Sequence, residues 1–364
     1  MSFIRPNVLS AAAYTPGEQP TDSVTIKLNT NENAYPPSPR VMDAIRAITP
    51  EQLRKYPSPS ARPFAEAAAQ IHNLSPDFIL PFNGGDELLA TLFRATCGES
   101  NSVAYLEPSY SLYPVLATMQ GCTQIPLQYE ISAPAPQLPI TNYQLPNPQW
   151  SLPKNIAATP ASLLLIVNPN APSATLEPLA TLDAIAATFP GLLVIDEAYV
   201  DFAPHSALPL VSKYPNVLIL RSMSKGYGLA GLRFGYAIAQ PALLQQLYKV
   251  RDSYPCDVIS IAAATAAIQD QPYARSTWQK TIAERTRLAT ALRQLGFTLP
   301  DPHSNFLLAT VPPAASAQSL YEGLKSRHIL VRYFNLPRLT DKLRITIGTP
   351  DQNDRLISEL ASML

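Results

Sequence analysis

Short apolar runs alternate with helical stretches from residue 86 to about residue 250, and this alternation constrains the fold more than any other feature of the chain. Such a pattern is typical of a mainly parallel sheet built from β-α units, an α/β fold. In these sheets ligands bind beyond the carboxyl ends of the strands, so the residues that bind ligands are expected directly after each apolar run. The predicted strands are 103–106, 163–167, 192–195, 217–220 and 234–239, and the predicted helices are 86–97, 111–120, 176–188 and 241–253.

The pattern changes after Tyr254 and Pro255, where long helical stretches precede short strands. We therefore predict an N-terminal arm over residues 1–35, a large domain over 36–254 and a smaller α+β domain over 255–364. The small domain is predicted to contain helices 260–270, 277–295 and 351–364 and strands 306–310, 330–333 and 343–347.

The amino-acid composition indicates which classes of molecule the protein binds. The 27 Lys and Arg residues balance the 27 Asp and Glu residues, so the chain has no basic surface predicted for nucleic acid or an anionic membrane. No stretch approaches the roughly 20 apolar residues of a membrane helix. The three cysteines, an odd and widely spaced set without a C-x-x-C pattern, indicate a reducing compartment. We expect a cytoplasmic protein that binds small molecules or a second copy of itself, with no metal site.

Lys225 is the first candidate catalytic residue. It follows the predicted strand 217–220 within the run RSMSKGYGLAGLR, residues 221–233. A lysine flanked by hydroxyls and followed by glycines and an arginine can hold a phosphorylated aldehyde as a Schiff base. This is the chemistry of pyridoxal phosphate, in which Ser222, Ser224 and Arg233 would bind the phosphate.

Polar side chains follow two neighbouring predicted strands. Asp196 ends one buried run, and its carboxylate would keep the pyridine nitrogen of such a cofactor protonated. Tyr199, three residues later, and Asn168, at the end of the preceding strand, would reach the ring oxygen from two sides. Taken singly, Asp196 is more typical of a helix cap or turn, and Asn168 of a turn. Their joint placement favours the cofactor site.

Two further segments complete the predicted cofactor site. Gly84 and Gly85 precede a predicted helix, whose exposed amides and dipole favour an anion such as phosphate. Tyr110 follows the predicted strand 103–106, and its aromatic face is the candidate for stacking on a flat heteroaromatic ring.

With these motifs in order, the chain resembles the fold-type I aminotransferases, and within them the histidinol-phosphate aminotransferase family, nearly from end to end. The resemblance implies a large domain with a mainly parallel, seven-stranded sheet between helices, and a smaller α+β domain. The matching runs are KLNTNENAYP (27–36), RKYP (54–57), GGDE (84–87), NPN (168–170), DEAY (196–199), SMSK (222–225), GLAGLR (228–233) and LRITIG (343–348).

The resemblance implies roles for particular residues. Lys225 would carry pyridoxal 5'-phosphate and exchange an amino group between L-histidinol phosphate and 2-oxoglutarate, a step of histidine biosynthesis. The amides of Gly85 and Asp86 would join the phosphate site. Tyr56 would reach the phosphate bound in the other subunit, which implies a homodimer with shared active sites. The substrate-binding residues would be Asn33, Arg332 and Arg344.

Three alternatives stay open on the sequence. An aromatic amino-acid aminotransferase would use the same cofactor residues. A threonine-phosphate decarboxylase, a lyase that also takes a phosphorylated substrate, would release carbon dioxide. A non-enzymatic module that binds pyridoxal phosphate for a regulator is disfavoured, because the chain has neither a DNA-binding extension nor a basic patch.

Overall fold

A computed structural model describes residues 3–13, 16–132 and 148–364 of the chain. Its strands are β1 Ile26–Lys27, β2 Ile79–Phe82, β3 Ser102–Glu107, β4 Thr123–Gln128, β5 Glu130–Ser132, β6 Gln149–Ser151, β7 Leu163–Val167, β8 Leu192–Asp196, β9 Val217–Ser222, β10 Gly235–Ala239, β11 Phe306–Thr310, β12 Ile329–Leu330, β13 Arg332–Tyr333 and β14 Lys342–Thr346. Its α-helices are α1 Pro6–Ser10, α2 Pro39–Arg46, α3 Pro50–Leu53, α4 Arg62–His72, α5 Gly84–Thr96, α6 Leu112–Gln120, α7 Leu179–Thr188, α8 Pro209–Lys213, α9 Pro241–Val250, α10 Val258–Gln269, α11 Gln271–Gln294, α12 Ala317–Ser326 and α13 Pro350–Met363.

A seven-stranded sheet in the order β2-β10-β9-β8-β7-β3-β4 forms the centre of the large domain. The neighbours from β4 to β9 pair in parallel, and β10 runs antiparallel to both β9 and β2. The predicted α/β class and mainly parallel sheet are therefore confirmed. All five predicted strands lie in this sheet.

The two strands that the apolar pattern missed, β2 and β4, are the two edges of the sheet. Each contains a proline, Pro81 in β2 and Pro126 in β4. Proline cannot donate to a strand ladder and is confined to edges and bulges, so it makes a strand hard to recognise from apolar residues alone. The same property suits both strands to the edge positions.

The central strands divide their side chains between two cores, as alternation along a strand requires. Leu164, Ile166, Ile195 and Ile219 pack on one face of the sheet. On the other face lie Leu163, Leu165, Val167, Val194, Leu218 and Leu220. Because both faces are buried, the runs are continuously apolar, as expected for parallel strands between helical layers.

The small domain contains the antiparallel sheet β11-β14-β13 with α11, α12 and α13 packed around a separate core. The N-terminal segment joins this domain, because β1 pairs in parallel with β12 and Leu28 is buried in the same core. Helix α10 follows the expected boundary at residue 254 but packs against α2 and α4. Residues after 254 thus contribute to the core of the large domain.

The stretch 129–160 is rich in proline, a composition that predicts an extended surface connection, and it lies partly outside the described residues. Within the described part of this stretch, β5 and β6 pair as antiparallel strands. Among the helices that the structure describes, none has the length and apolarity needed to span a membrane.

Gly235 lets the start of α5 approach the sheet closely. A Cβ atom at this position would lie 2.9 Å from the carbonyl carbon of Gly84 and 2.9 Å from the nitrogen of Gly85. These are backbone atoms of the first turn of α5, so they cannot move aside as a flexible side chain would.

We predict that Gly235→Ala destabilises the protein by about 1–3 kcal/mol, the usual cost of overpacking, and displaces the first turn of α5. Urea unfolding measures the first effect. Gly231→Ala is the matched control, because a Cβ there has no heavy atom within 4 Å. Equal unfolding free energies for the two variants would show that the close approach at Gly235 carries no constraint.

Candidate active site

The carboxyl ends of adjacent strands bring most of the predicted site residues together. Asn168 follows β7, Asp196 ends β8, and Ser224 and Lys225 follow β9. The first turn of α5 and the segment after β3 lie at the same edge, as the hydrogen bonds of Asp86 show: it accepts from Tyr110 at 2.9 Å and from Arg233 at 3.2 Å.

Lys225 is held by the N-terminal segment. Its Nζ donates to the carbonyl oxygen of Thr30 at 3.2 Å. Removal from solvent, together with the nearby guanidinium of Arg344 and against the opposing effect of Glu32, lowers the pKa of Lys225 to about 8. An amine with this pKa is substantially neutral just above neutral pH, as a catalytic base must be.

Asp196 is a buried carboxylate with two neutral donors. Its Oδ2 accepts from the hydroxyl of Tyr113 at 3.0 Å, and its Oδ1 accepts from the backbone NH of Ala198 at 3.0 Å. Burial raises the pKa of Asp196 to about 6, because these two hydrogen bonds only partly replace water. The carboxylate is therefore suited to a partner that brings a proton or a positive charge.

Asn168 presents a buried donor whose hydrogen-bonding capacity is not used. Its backbone NH donates to the backbone carbonyl oxygen of Asp196 at 2.8 Å. Its side-chain Oδ1 accepts from the backbone NH of Glu177 at 2.8 Å, which fixes the orientation of the side-chain amide. Within the described chain, its buried Nδ2 has no hydrogen-bond partner. Buried donors are almost always paired, so this one marks a place for a ligand acceptor.

Tyr199 and Tyr110 have defined orientations. The hydroxyl oxygen of Tyr199 accepts from Nδ2 of Asn31 at 3.0 Å, and its ring packs edge-on against Phe306 with the centroids 5.0 Å apart. The ring of Tyr110 lies at 87° to that of Tyr113. Its bond to Asp86 fixes the other end.

The predicted phosphate residues form one connected cluster. The backbone NH of Ser224 donates to Oγ of Ser222 at 3.1 Å, and Nη1 of Arg233 donates to Oγ of Ser224 at 3.3 Å. Arg233 also approaches the start of α5, where a Cβ on Gly84 would lie 2.9 Å from its Nη2. A helix start, two hydroxyls and a guanidinium at one point suit a phosphate dianion.

The two predicted substrate arginines share an aromatic neighbour. Arg332 and Arg344 each lie over the ring of Phe334, at 5.4 Å from the guanidinium carbon to the centroid. Arg344 also lies 5.4 Å from the centroid of Phe306 and donates to the carbonyl of Asn29 at 2.9 Å. Both cations are thus positioned by flat rings.

The other two predicted residues lie in different surroundings. Nδ2 of Asn33 donates to the carbonyl of Gly226 at 3.0 Å, and its Oδ1 accepts from the backbone NH of Tyr35 at 3.0 Å. In this structure Asn33 contacts the residue that follows Lys225. Tyr56 is 81% exposed and stacks on Tyr254 with the centroids 4.6 Å apart.

Sequence reasoning missed three contributors to the site: the carbonyl of Thr30, the side chain of Asn31 and the hydroxyl of Tyr113. Thr30 and Asn31 are distant in sequence from the groups that they contact, so periodicity gives no sign of the contacts. Tyr113 lies inside α6, where an aromatic residue is expected to face the core. Its bond to Asp196 depends on how α6 packs on the sheet.

The described residues fit pyridoxal phosphate group by group. Asp196 suits a protonated ring nitrogen, the unused donor of Asn168 suits a ring oxygen, and Tyr110 suits the ring face. The cluster of Ser222, Ser224 and Arg233 at the start of α5 suits the phosphate. Lys225 supplies the amine.

We predict that Asp196→Asn stabilises the cofactor-free protein by about 3 kcal/mol at pH 8, although it weakens cofactor binding. The folded pKa of Asp196 is raised, so folding becomes less favourable as the pH rises from about 4, where the unfolded carboxyl ionises, to about 6. The variant lacks this cost, and its advantage grows across that range and is constant above it. Urea unfolding at pH 5 and pH 8 measures it.

Asp183→Asn is the matched control of opposite sign. Lys213 lowers the pKa of this exposed aspartate, so its interaction favours folding at high pH and the substitution should not stabilise the protein. If Asp196→Asn were less stable than the wild type at pH 8, this would contradict the inference that burial of the ionised Asp196 carboxylate lowers the free energy of unfolding.

Comparisons with known proteins show the family of the chain. Residues 23–360 match the family model of class I and II aminotransferases. A histidinol-phosphate aminotransferase of Trichormus variabilis is 43% identical over 364 residues, covering 100% of this chain and 99% of the relative. The crystal structure of a histidinol-phosphate aminotransferase from Sinorhizobium meliloti in complex with pyridoxal-5'-phosphate superposes with a TM-score of 0.86 at 25% identity, covering 100% of this chain and 99% of that one.

The structure of an L-threonine-O-3-phosphate decarboxylase from Porphyromonas gingivalis shares the fold, with a TM-score of 0.75 at 20% identity over 93% of this chain and 99% of that one. The model match extends over most of the chain, and the curated relative matches from end to end. The chain belongs to the class I and II aminotransferase family.

Proposed function

We propose that this protein is a histidinol-phosphate aminotransferase that uses pyridoxal 5'-phosphate to move the amino group of L-histidinol phosphate to 2-oxoglutarate. The observation that carries the proposal is the convergence of Lys225, Asp196 and the phosphate cluster with the two arginines Arg332 and Arg344. The full-length similarity to relatives of that name supports the choice of substrate.

Pyridoxal phosphate, when bound, supplies an aldehyde for covalent attachment and a ring that accepts electron density from the reacting carbon. Asp196 holds its ring nitrogen, and Asn168 and Tyr199 hold its ring oxygen. Tyr110 covers one face of the ring. Ser222, Ser224, Arg233 and the amides of Gly85 and Asp86 hold its phosphate.

Lys225 moves the proton. With a pKa of about 8, part of its amine is unprotonated near neutral pH and can accept a proton, whereas an ordinary lysine with a pKa of about 10.4 is almost entirely protonated there. The carbonyl of Thr30, which accepts from its Nζ, keeps the amine at a fixed position when it is not covalently bound.

Arg332 and Arg344 bind the substrate anion. The amino donor carries a phosphate and the 2-oxo acid carries a second carboxylate, and each half-reaction presents one of them to the same place. Two guanidiniums held against Phe334 offer several donors in fixed planes, which suits either anion.

We also propose that the protein forms a homodimer with shared active sites. Tyr56 and Tyr254 stack on each other at the surface, with 81% and 44% of their areas exposed. Exposed aromatic residues of this size are typical of a protein interface. In the dimer, the hydroxyl of Tyr56 reaches the phosphate bound by the other subunit.

The reaction takes place in the cytoplasm under this proposal. Cys97, Cys122 and Cys256 are free thiols in the structure, a state that a reducing compartment maintains.

We predict that histidinol phosphate alone removes the visible absorbance of the aldehyde form of the bound cofactor, and that 2-oxoglutarate restores it. Stopped-flow absorbance over one half-reaction measures both steps. Faster conversion by phenylalanine would indicate an aromatic aminotransferase. Carbon dioxide release from threonine phosphate would indicate a decarboxylase.

Lys225→Ala should bind the cofactor and lose this conversion, because the variant lacks the base. Lys249→Ala, which removes an exposed lysine of α9 that contacts Gln246, is the matched control and should convert normally. Sustained turnover by Lys225→Ala would contradict the role given to Lys225.

We predict that mixing Lys225→Ala with Tyr56→Ala, followed by exchange of subunits, restores activity. In the mixed dimer one site carries both substitutions and the other carries neither. Assays before and after exchange at low cofactor concentration measure the effect. Activity equal to the sum of the separate variants would contradict shared sites.

A further inference from the structure

Residues 29–33, here called the strap, contact successive parts of the active site. The carbonyl of Asn29 accepts from Nη2 of Arg344 at 2.9 Å, and the carbonyl of Thr30 accepts from Nζ of Lys225 at 3.2 Å. The side chain of Asn31 donates to Tyr199 at 3.0 Å, and that of Asn33 donates to Gly226 at 3.0 Å.

Asn31 is the residue of the strap that is tied to both domains. Its backbone NH donates to Oγ1 of Thr346 at 3.0 Å, and the same hydroxyl donates to Oδ1 of Asn31 at 3.2 Å. Its carbonyl accepts from Nδ2 of Asn305 at 2.9 Å. Both partners belong to the small domain, whereas Tyr199 belongs to the large one.

The local geometry of Asn31 is specific. Only 2% of the residue is exposed, and its backbone has a φ of 58°. Asparagine is one of the few residues that adopt this left-handed conformation at low cost. The amide is thus aimed at Tyr199 by the backbone and by Thr346 together.

The direction of the hydrogen bond between Asn31 and Tyr199 follows from chemistry. An amide NH₂ only donates, so the hydroxyl oxygen of Tyr199 accepts in this bond. Accepting this bond does not use the proton of the phenol. Resting on the proposed function, the phenol donates that proton to the ring oxygen of the bound cofactor.

We propose that Asn31 is a positioning residue for catalysis, which acts through Tyr199 by holding the phenol so that its proton points at the cofactor ring oxygen. The anchoring of Asn31 to Thr346 and Asn305 makes this orientation depend on the place of the small domain. The arginines proposed to bind the substrate anion belong to the same domain. Binding of the anion therefore acts on the domain that, through Asn31, orients Tyr199.

The test uses the cofactor-bound protein and the pH midpoint of its visible absorbance. A donor on the ring oxygen stabilises the form in which that oxygen carries its full negative charge, so loss of the donor raises the midpoint. Asn31→Asp replaces the NH₂ donor with an acceptor and draws the phenol proton to itself. Asn31→Gly removes the side chain and keeps the left-handed backbone.

Asn31→Asp should raise the midpoint by about one pH unit, the size expected for one buried hydrogen bond, and Asn31→Gly should raise it less. The charged groups that act on Lys225, namely Arg344, Glu32, Arg233 and Asp86, are kept in all variants. Asn31→Asp adds one carboxylate, so Asn31→Gly is the variant that isolates the loss of the donor. The matched controls are Asn73→Asp and Asn73→Gly, since Asn73 has a φ of 54° at the exposed end of α4. Both controls should keep the wild-type midpoint.

A double variant separates positioning from a merely structural role. If Asn31 acts through Tyr199, Asn31→Gly adds no rise in the background of Tyr199→Phe. Additive rises, or a wild-type midpoint in both Asn31 variants, would overturn the inference and leave the proposed function intact. Absence of a pH-dependent visible band from the wild-type protein would overturn the proposed function and this inference with it.

Discussion

The withdrawal of Asp196 and Lys225 from water is the constraint on which the rest of the site depends. Burial raises the pKa of the carboxylate to about 6 and lowers that of the amine to about 8, so both charged forms are disfavoured. A fold keeps such groups only when surrounding elements hold them in place. Here β8, β9 and the strap do so, and a ligand with a basic ring nitrogen and an aldehyde relieves both costs.

The large domain could be predicted because its candidate site residues come directly after the apolar runs that form its strands. Asn168, Asp196 and Lys225 come directly after apolar runs, and parallel neighbours carry those ends to one edge of the sheet. The edge strands β2 and β4 were missed because Pro81 and Pro126 interrupt the pattern. The packing of α10 on the large domain was also not visible, because a helix that is apolar on all sides does not indicate its partner.

The contacts of the strap could not be predicted from local sequence. Asn31 and Tyr199 are 168 residues apart, and Asn31 and Thr346 are 315 residues apart, so no spacing rule relates them. Their contacts arise because β1 joins the small domain and the chain then crosses to the large one. The motif containing Asn33 pointed to this segment, yet in the structure the side chain of Asn33 holds the backbone beside Lys225.

The most direct test of the central claim is the chemical identity of the residue that holds the cofactor. Borohydride reduction of the cofactor-bound protein, followed by trypsin digestion and mass spectrometry, locates the covalent adduct. We expect the added mass on the peptide that spans residues 222–233, with cleavage blocked at Lys225. An adduct on any other lysine, or none under conditions in which the cofactor is bound, would contradict it.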